Sequence, residues 1–96
     1  MLIARVVGSA VSTIKDANLR GLKLLVVQEA TPADVVRGEP FVAADTIGAG
    51  EGELVLIVTG SAARCTDKTR NFPVDAAIIG ILDSLEVGGE VAFRKH

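Results

Sequence analysis

The chain has no tryptophan, no tyrosine, one cysteine and one histidine, and its phenylalanines are scattered at positions 41, 72 and 93. Each scarcity removes a class of function. Single-strand nucleic-acid grooves stack bases on aromatic side chains, at roughly 1–3 kcal/mol per base, and this chain has few to offer. The lone Cys65 has no partner for an internal disulfide. Without an adjacent histidine it reads as a partly buried small hydrophobe or inert thiol and not as a nucleophile. The one histidine, His96, sits at the end of the chain, a poor place for a positioned base. Charge of one sign is lacking too: ten Lys and Arg against twelve Asp and Glu leave a formal net charge of −2. No basic footprint for nucleic acid or an anionic membrane follows from that balance. The start, MLIARVVGSAV, carries Arg5 inside its apolar residues and reads as neither a signal peptide nor a membrane span. The expectation is a soluble, cytosolic protein.

What is abundant is small and branched apolar side chains, which bring the hydrophobic share to 49% of 96 residues. A chain of this length forms one domain and buries roughly two-thirds of the surface of its unfolded state. Its apolar content exceeds what one small core easily hides, so burial against other copies is expected.

Branched runs bounded by turn residues predict strands. IARVVGSAVST is Val-rich, with a bend or bulge expected at Gly8 and a turn at KDAN. GLKLLVVQ follows, then EATPADVVRGEP as a surface connection, FVAADTI as an extended segment and ELVLIVTG as a buried strand. SAAR offers a one-turn helix with Ser61 as N-cap, and Pro73 with Asp75 another short turn. In AAIIGILDSLEV, Ala76 and Ala77 suit a helix start, but the branched IIGIL predicts strand from about Ile78. Gly88 and Gly89 form a two-residue hairpin turn into EVAFRK. The fold class is mainly β: a small β-barrel of five or six strands with one or two short helical turns.

The sharpest chemical signal is TIGAGEGELVLIVTGSAAR, whose glycines at 48, 50 and 52 resemble a phosphate loop. A dinucleotide fingerprint needs a third glycine where Glu53 stands and a helix afterwards, whereas a strand follows. No G-K-[ST] completes a P-loop, and Glu51 and Glu53 would repel phosphate. The glycines therefore read as a tight turn or bulge between strands. Asp45, Glu51 and Glu53 lack further ligands at metal spacing and read as solvated loop carboxylates. Ser61 in TGSAA is not a nucleophile elbow. Arg64, Lys68 and Arg70 cluster on one polar loop, which reads as a solvated face or a contact with a protein neighbour. No catalytic, cofactor-binding or metal site is expected, and the chain is not expected to be an enzyme.

The order of the segments carries more. ARVVGSAVSTIK, GLKLLVVQ, AADTIGAGEGELVLIVTGSAAR and PVDAAIIGILDSLEV together closely resemble the EutN/CcmL family of bacterial microcompartment vertex proteins, over Met1 to about Val87. The resemblance implies a non-enzymatic shell component of OB-like topology whose five copies form a ring. Such rings fill vertices that six-fold tiles leave open, within a shell in the cytoplasm. Implied partners are further copies of the chain and hexameric or trimeric shell proteins, with no nucleic acid and no membrane. On this reading residues 1–87 form the barrel domain and 88–96 a C-terminal hairpin arm or tail. Gly48, Ala49, Gly50 and Glu51 are candidates for the five-fold axis or a subunit contact, as are Arg64 and Asp75, which are candidates to pair with each other. The competing reading is an OB-like binding module for nucleic acid or a small ligand. Ring size is not fixed by the hydrophobic pattern, since a small change in contact angle alters closure.

Overall fold

The structure, a computed structural model, describes residues 1–11, 22–70 and 73–95. Its strands are β1 (Leu2–Ser9), β2 (Lys23–Glu29), β3 (Phe41–Asp45), β4 (Leu54–Thr59), β5 (Ala76–Ile81), β6 (Ser84–Val87) and β7 (Glu90–Arg94). The first five close a barrel in the order β1-β2-β3-β5-β4, the OB-like order, and β6 and β7 form a separate two-stranded sheet. All barrel pairings are antiparallel except β3 with β5, which is parallel and short, joining Ala44 to Ala77 and Asp45 to Ile78.

Period-two alternation sorts each strand into an inner and an outer face. Val6, Val27, Val55, Ile57 and Ile78 point inward and are at most 1% exposed. These branched side chains fill a narrow barrel without aromatic volume. A smaller apolar cluster lies on the outer side of the wall. There Ala44, Ala63, Val74 and Ala77 pack with Val58 beneath a 3-10 turn at Gly60–Arg64.

Several expectations meet this fold directly. The register of β1 against β2 slips between Val6 and Gly8, so the bulge expected at Gly8 is present. Residues 30–40 form a surface connection, pinned by an isolated bridge between Ala30 and Val36. The first strand stops at Ser9, and the KDAN turn lies outside the described residues. Two local expectations are corrected. The N-cap position of the 3-10 turn is Thr59 and not Ser61, and no side chain caps it. The fifth strand begins at Ala76, because pairing with Thr59 and Val58 draws both alanines into the ladder. Propensity alone favours a helix there; the tertiary pairing overrides it.

Gly88 and Gly89 have φ of 61° and 82°, the two left-handed residues a type I′ hairpin turn requires. The expected division at residues 87 and 88 thus falls within the turn of the β6–β7 hairpin. This hairpin is a sheet separate from the barrel, and the molecule measures 45 × 23 × 23 Å.

Candidate functional site

The glycine-rich loop joins β3 to β4, and the backbone N–H groups of Ile47, Gly48, Gly50, Gly52 and Glu53 are engaged within the chain. Asp45 Oδ1 accepts the N–H groups of Ile47 and Gly48, both at 3.1 Å. Glu53 Oε1 accepts the Gly50 N–H at 2.6 Å. Gly52 N donates to Val6 O at 2.8 Å, and Glu53 N to Gly50 O at 3.2 Å. A phosphate site needs convergent free N–H groups, and here they turn inward. Thr46, also buried, donates its hydroxyl to Ile78 O at 2.6 Å and ties the loop to β5.

The glycines serve backbone shape. Gly48 and Gly52 have φ of 80° and 88°, a region other residues adopt only with strain. Gly50 has no such φ, but a Cβ there would stand 3.3 Å from Glu53 Oε1, so its small size lets the carboxylate reach the amide. Ala49 is 1% exposed and packs in the barrel core. It anchors the loop, with its methyl group packed inside its own chain. Gly48 and Glu51 are exposed and Gly50 is half-buried.

Asp45 and Glu53 depart from the expected solvated carboxylates. Asp45 is 7% exposed. Its Oδ2 has no hydrogen-bond partner among the described residues, and the Lys23 ammonium stands 3.9 Å away. Glu53 Oε2 accepts from Lys95 Nζ at 2.8 Å. That bond, with the one from Gly50 N–H, lowers the Glu53 pKa below the ordinary glutamate value, and the carboxylate in turn raises that of Lys95. One carboxylate thereby links the glycine-rich loop to the end of the hairpin. Its signal in the sequence was spacing, three residues beyond Gly50, where a side chain can bond back to the loop.

Arg64 and Asp75, both exposed, flank the 3-10 turn. Within one chain they are not ion-paired: Arg64 Nη1 lies 3.5 Å from Val74 O, and the Asp75 carbonyl accepts Gly60 N–H at 2.8 Å. Asp75 also lines an open cleft of about 570 Å³ with Phe41, Val42, Thr59, Gly60 and Ala76. The polar loop after the turn hides a connection the sequence reading missed. Thr69 is 0% exposed, and its hydroxyl donates to Ala63 O at 2.6 Å. Cys65 is exposed, which corrects the expectation of partial burial.

Among the described residues no group of His, Cys, Asp and Glu could hold a metal ion, and no helix is long and apolar enough to cross a membrane. Phe41 packs against the core, and Phe93 is half-buried in the hairpin.

The chain is similar in sequence and in fold to known proteins. The sequence model of the family described as ethanolamine utilisation protein EutN/carboxysome matches residues 1–83. The chain belongs to the EutN/CcmL family. It is 44% identical over 95 residues to the bacterial microcompartment shell vertex protein EutN of Escherichia coli K12, covering 99% of this chain and 100% of that one. The solved structure of CcmL from Nostoc sp. PCC 7120, a carboxysome shell vertex protein, superposes with a TM-score of 0.93 at 44% identity, covering 99% of this chain and 100% of that chain. A second solved structure, the pentameric microcompartment shell protein GrpN from Rhodospirillum rubrum, superposes with a TM-score of 0.81 at 41% identity, covering 91% of this chain and 99% of that chain.

Proposed function

We propose that this protein is a structural shell component, not an enzyme, whose homopentamers cap the five-fold vertices of a bacterial microcompartment in the cytoplasm. The observation that carries this reading is the chain-long match to shell vertex proteins, one of them pentameric. The geometry agrees with it. The glycine-rich loop, the obvious ligand-binding suspect, turns five of its amides, those of Ile47, Gly48, Gly50, Gly52 and Glu53, to its own chain.

A ring of copies uses a heterologous contact, in which one side of each barrel meets a different side of the next. Its partners are further copies of this chain and other shell proteins, hexameric or trimeric tiles being the ones whose sheets leave five-fold gaps. Gly48, Gly50 and the exposed Glu51 are assigned to the axial region, and Arg64 and Asp75 to polar contacts between copies. An Arg64–Asp75 pair, absent within the chain, would then form across the contact.

Native mass spectrometry tests both levels. A discrete five-copy species is expected for the wild-type chain, and a monomer would overturn the vertex reading. Arg64→Ala is expected to lose the five-copy species while Lys68→Ala keeps it; a pentamer that survives Arg64→Ala removes the role given to that residue.

A further inference from the structure

Leu54 is buried on the outer side of the wall. Val55 and Ile57 of β4 fill the barrel interior, and Leu54 points the other way, opposite Arg5 on the outer face of β1. Leu56, two residues further along that face, is only half-buried. Leu54 is 2% exposed and belongs to neither apolar cluster of the barrel. A group outside the wall must cover it.

That cover includes the base of the β6–β7 hairpin. Leu54 lines a cleft of about 350 Å³ with Asp34 of the 30–40 connection and with Phe93, Arg94 and Lys95 of the hairpin end. Asp34 is fixed there by its ion pair with Arg5. The hairpin is held more lightly. No ladder joins β6 or β7 to the barrel, and a two-stranded hairpin is marginally stable by itself in water. At its base Leu82 N–H donates to Leu54 O at 2.9 Å, and Lys95 N–H donates to Asp83 O at 2.7 Å, which closes the base on itself. The side-chain fastening is the Lys95–Glu53 ion pair, whose side chains are 44% and 23% exposed, and pairs so open to water hold weakly.

We propose that the hairpin is a strap with two positions. Seated, it covers Leu54 and is fastened by Lys95 on Glu53; released, it pivots at Leu82 and Asp83 and bares Leu54 and Phe93 together. Units with few ties to the rest of a fold open ahead of the whole molecule. Gly50 sets the fastening from the other side, because its N–H holds Glu53 Oε1 while a Cβ there would stand 3.3 Å from that oxygen and displace it. The strap is a property of one chain, goes beyond the shell role and holds whether or not copies form a ring.

Thiol labelling tests the two positions. In a Cys65→Ser background, Leu54→Cys places one thiol beneath the strap, and iodoacetamide reports how often it is bared. Labelling of the folded chain is expected to be at least about tenfold slower than that of the same chain unfolded in urea. Lys95→Met should quicken it roughly two- to fivefold, as loss of a water-exposed ion pair would, and Lys95→Arg should keep it slow. Gly50→Ala should quicken it too, and Gly50→Ala with Lys95→Met should label no faster than Lys95→Met alone, since both act through Glu53. Labelling as fast as in the unfolded chain overturns the cover, labelling indifferent to Lys95→Met overturns the fastening, and additive effects remove the part given to Gly50. Protection factors of the β1 and β2 amides should stay unchanged throughout; a matching fall there means opening of the whole barrel and overturns the strap. Should Leu54→Cys loosen the barrel, protection factors of the amides of residues 85–93 in the otherwise native chain replace the label: Lys95→Met lowers them by the same factor, and unchanged values overturn the proposal.

Discussion

Lys95 and Glu53 lie 42 residues apart in sequence and 2.8 Å apart in space, Nζ to Oε2. Through this contact the last described residue of the chain is held to the glycine-rich loop. The lowered pKa of Glu53 means that its contribution to stability is full above the ordinary glutamate range and is lost as pH falls through the lowered value. For Lys95 the sense is opposite: the contribution is full below the ordinary lysine range and is lost as pH rises through the raised value. The protection factors of the β6–β7 amides should therefore fall in acid before those of the barrel amides respond. Glu53→Gln should produce the same loss of hairpin protection at neutral pH while sparing Gly50, whose N–H the remaining carbonyl oxygen still accepts. Protection factors that change in parallel in hairpin and barrel throughout the titration would contradict this.

Thr69 is the buried hydroxyl on which the polar loop depends. Thr69→Val keeps the shape but leaves Ala63 O without its donor, an unsatisfied buried group that costs about 1–3 kcal/mol. Urea denaturation at fixed protein concentration should show a lower midpoint with an unchanged slope. An unaltered midpoint would mean that water reaches Ala63 O.

Gly48→Ala and Gly52→Ala force a side chain into left-handed backbone, where each should lose about 1–2 kcal/mol of stability. Gly80→Ala, at ordinary φ with room for a methyl group, should leave the stability of an isolated chain unchanged or raised. Thermal melts of the three variants under dissociating conditions check the contrast, and equal losses at all three would refute it.

The barrel was legible because its strands are short branched runs punctuated by glycine, and the Gly88–Gly89 hairpin because its turn type admits few other residues. The start of β5 was not, since alanine carries no strand signal and only the ladder to β4 sets Ala76 in place. The glycine-rich loop was legible in what it lacks, a following helix, and illegible in what holds it. Asp45, Thr46 and Glu53 act through contacts with their own loop, β5 and Lys95, which composition cannot reveal. Thr69 was hidden for the same reason, as a polar residue within a polar run gives no sign of burial. The candidates at 48, 50 and 51 lie together on one loop, whereas Asp75 comes beside the 3-10 turn that ends at Arg64 only because β4 pairs with β5, and the two side chains are not paired within the chain.

The closing strand of the wall, β5, is the last of the five to be synthesised, and it joins both β3 and β4. During translation the earlier strands must wait as an open sheet, with the edges that β5 will cover still unpaired. A chain truncated before Ala76 lacks the strand that closes the wall, so the edges of β3 and β4 stay open to pairing with other chains, a template for aggregation that the complete barrel removes.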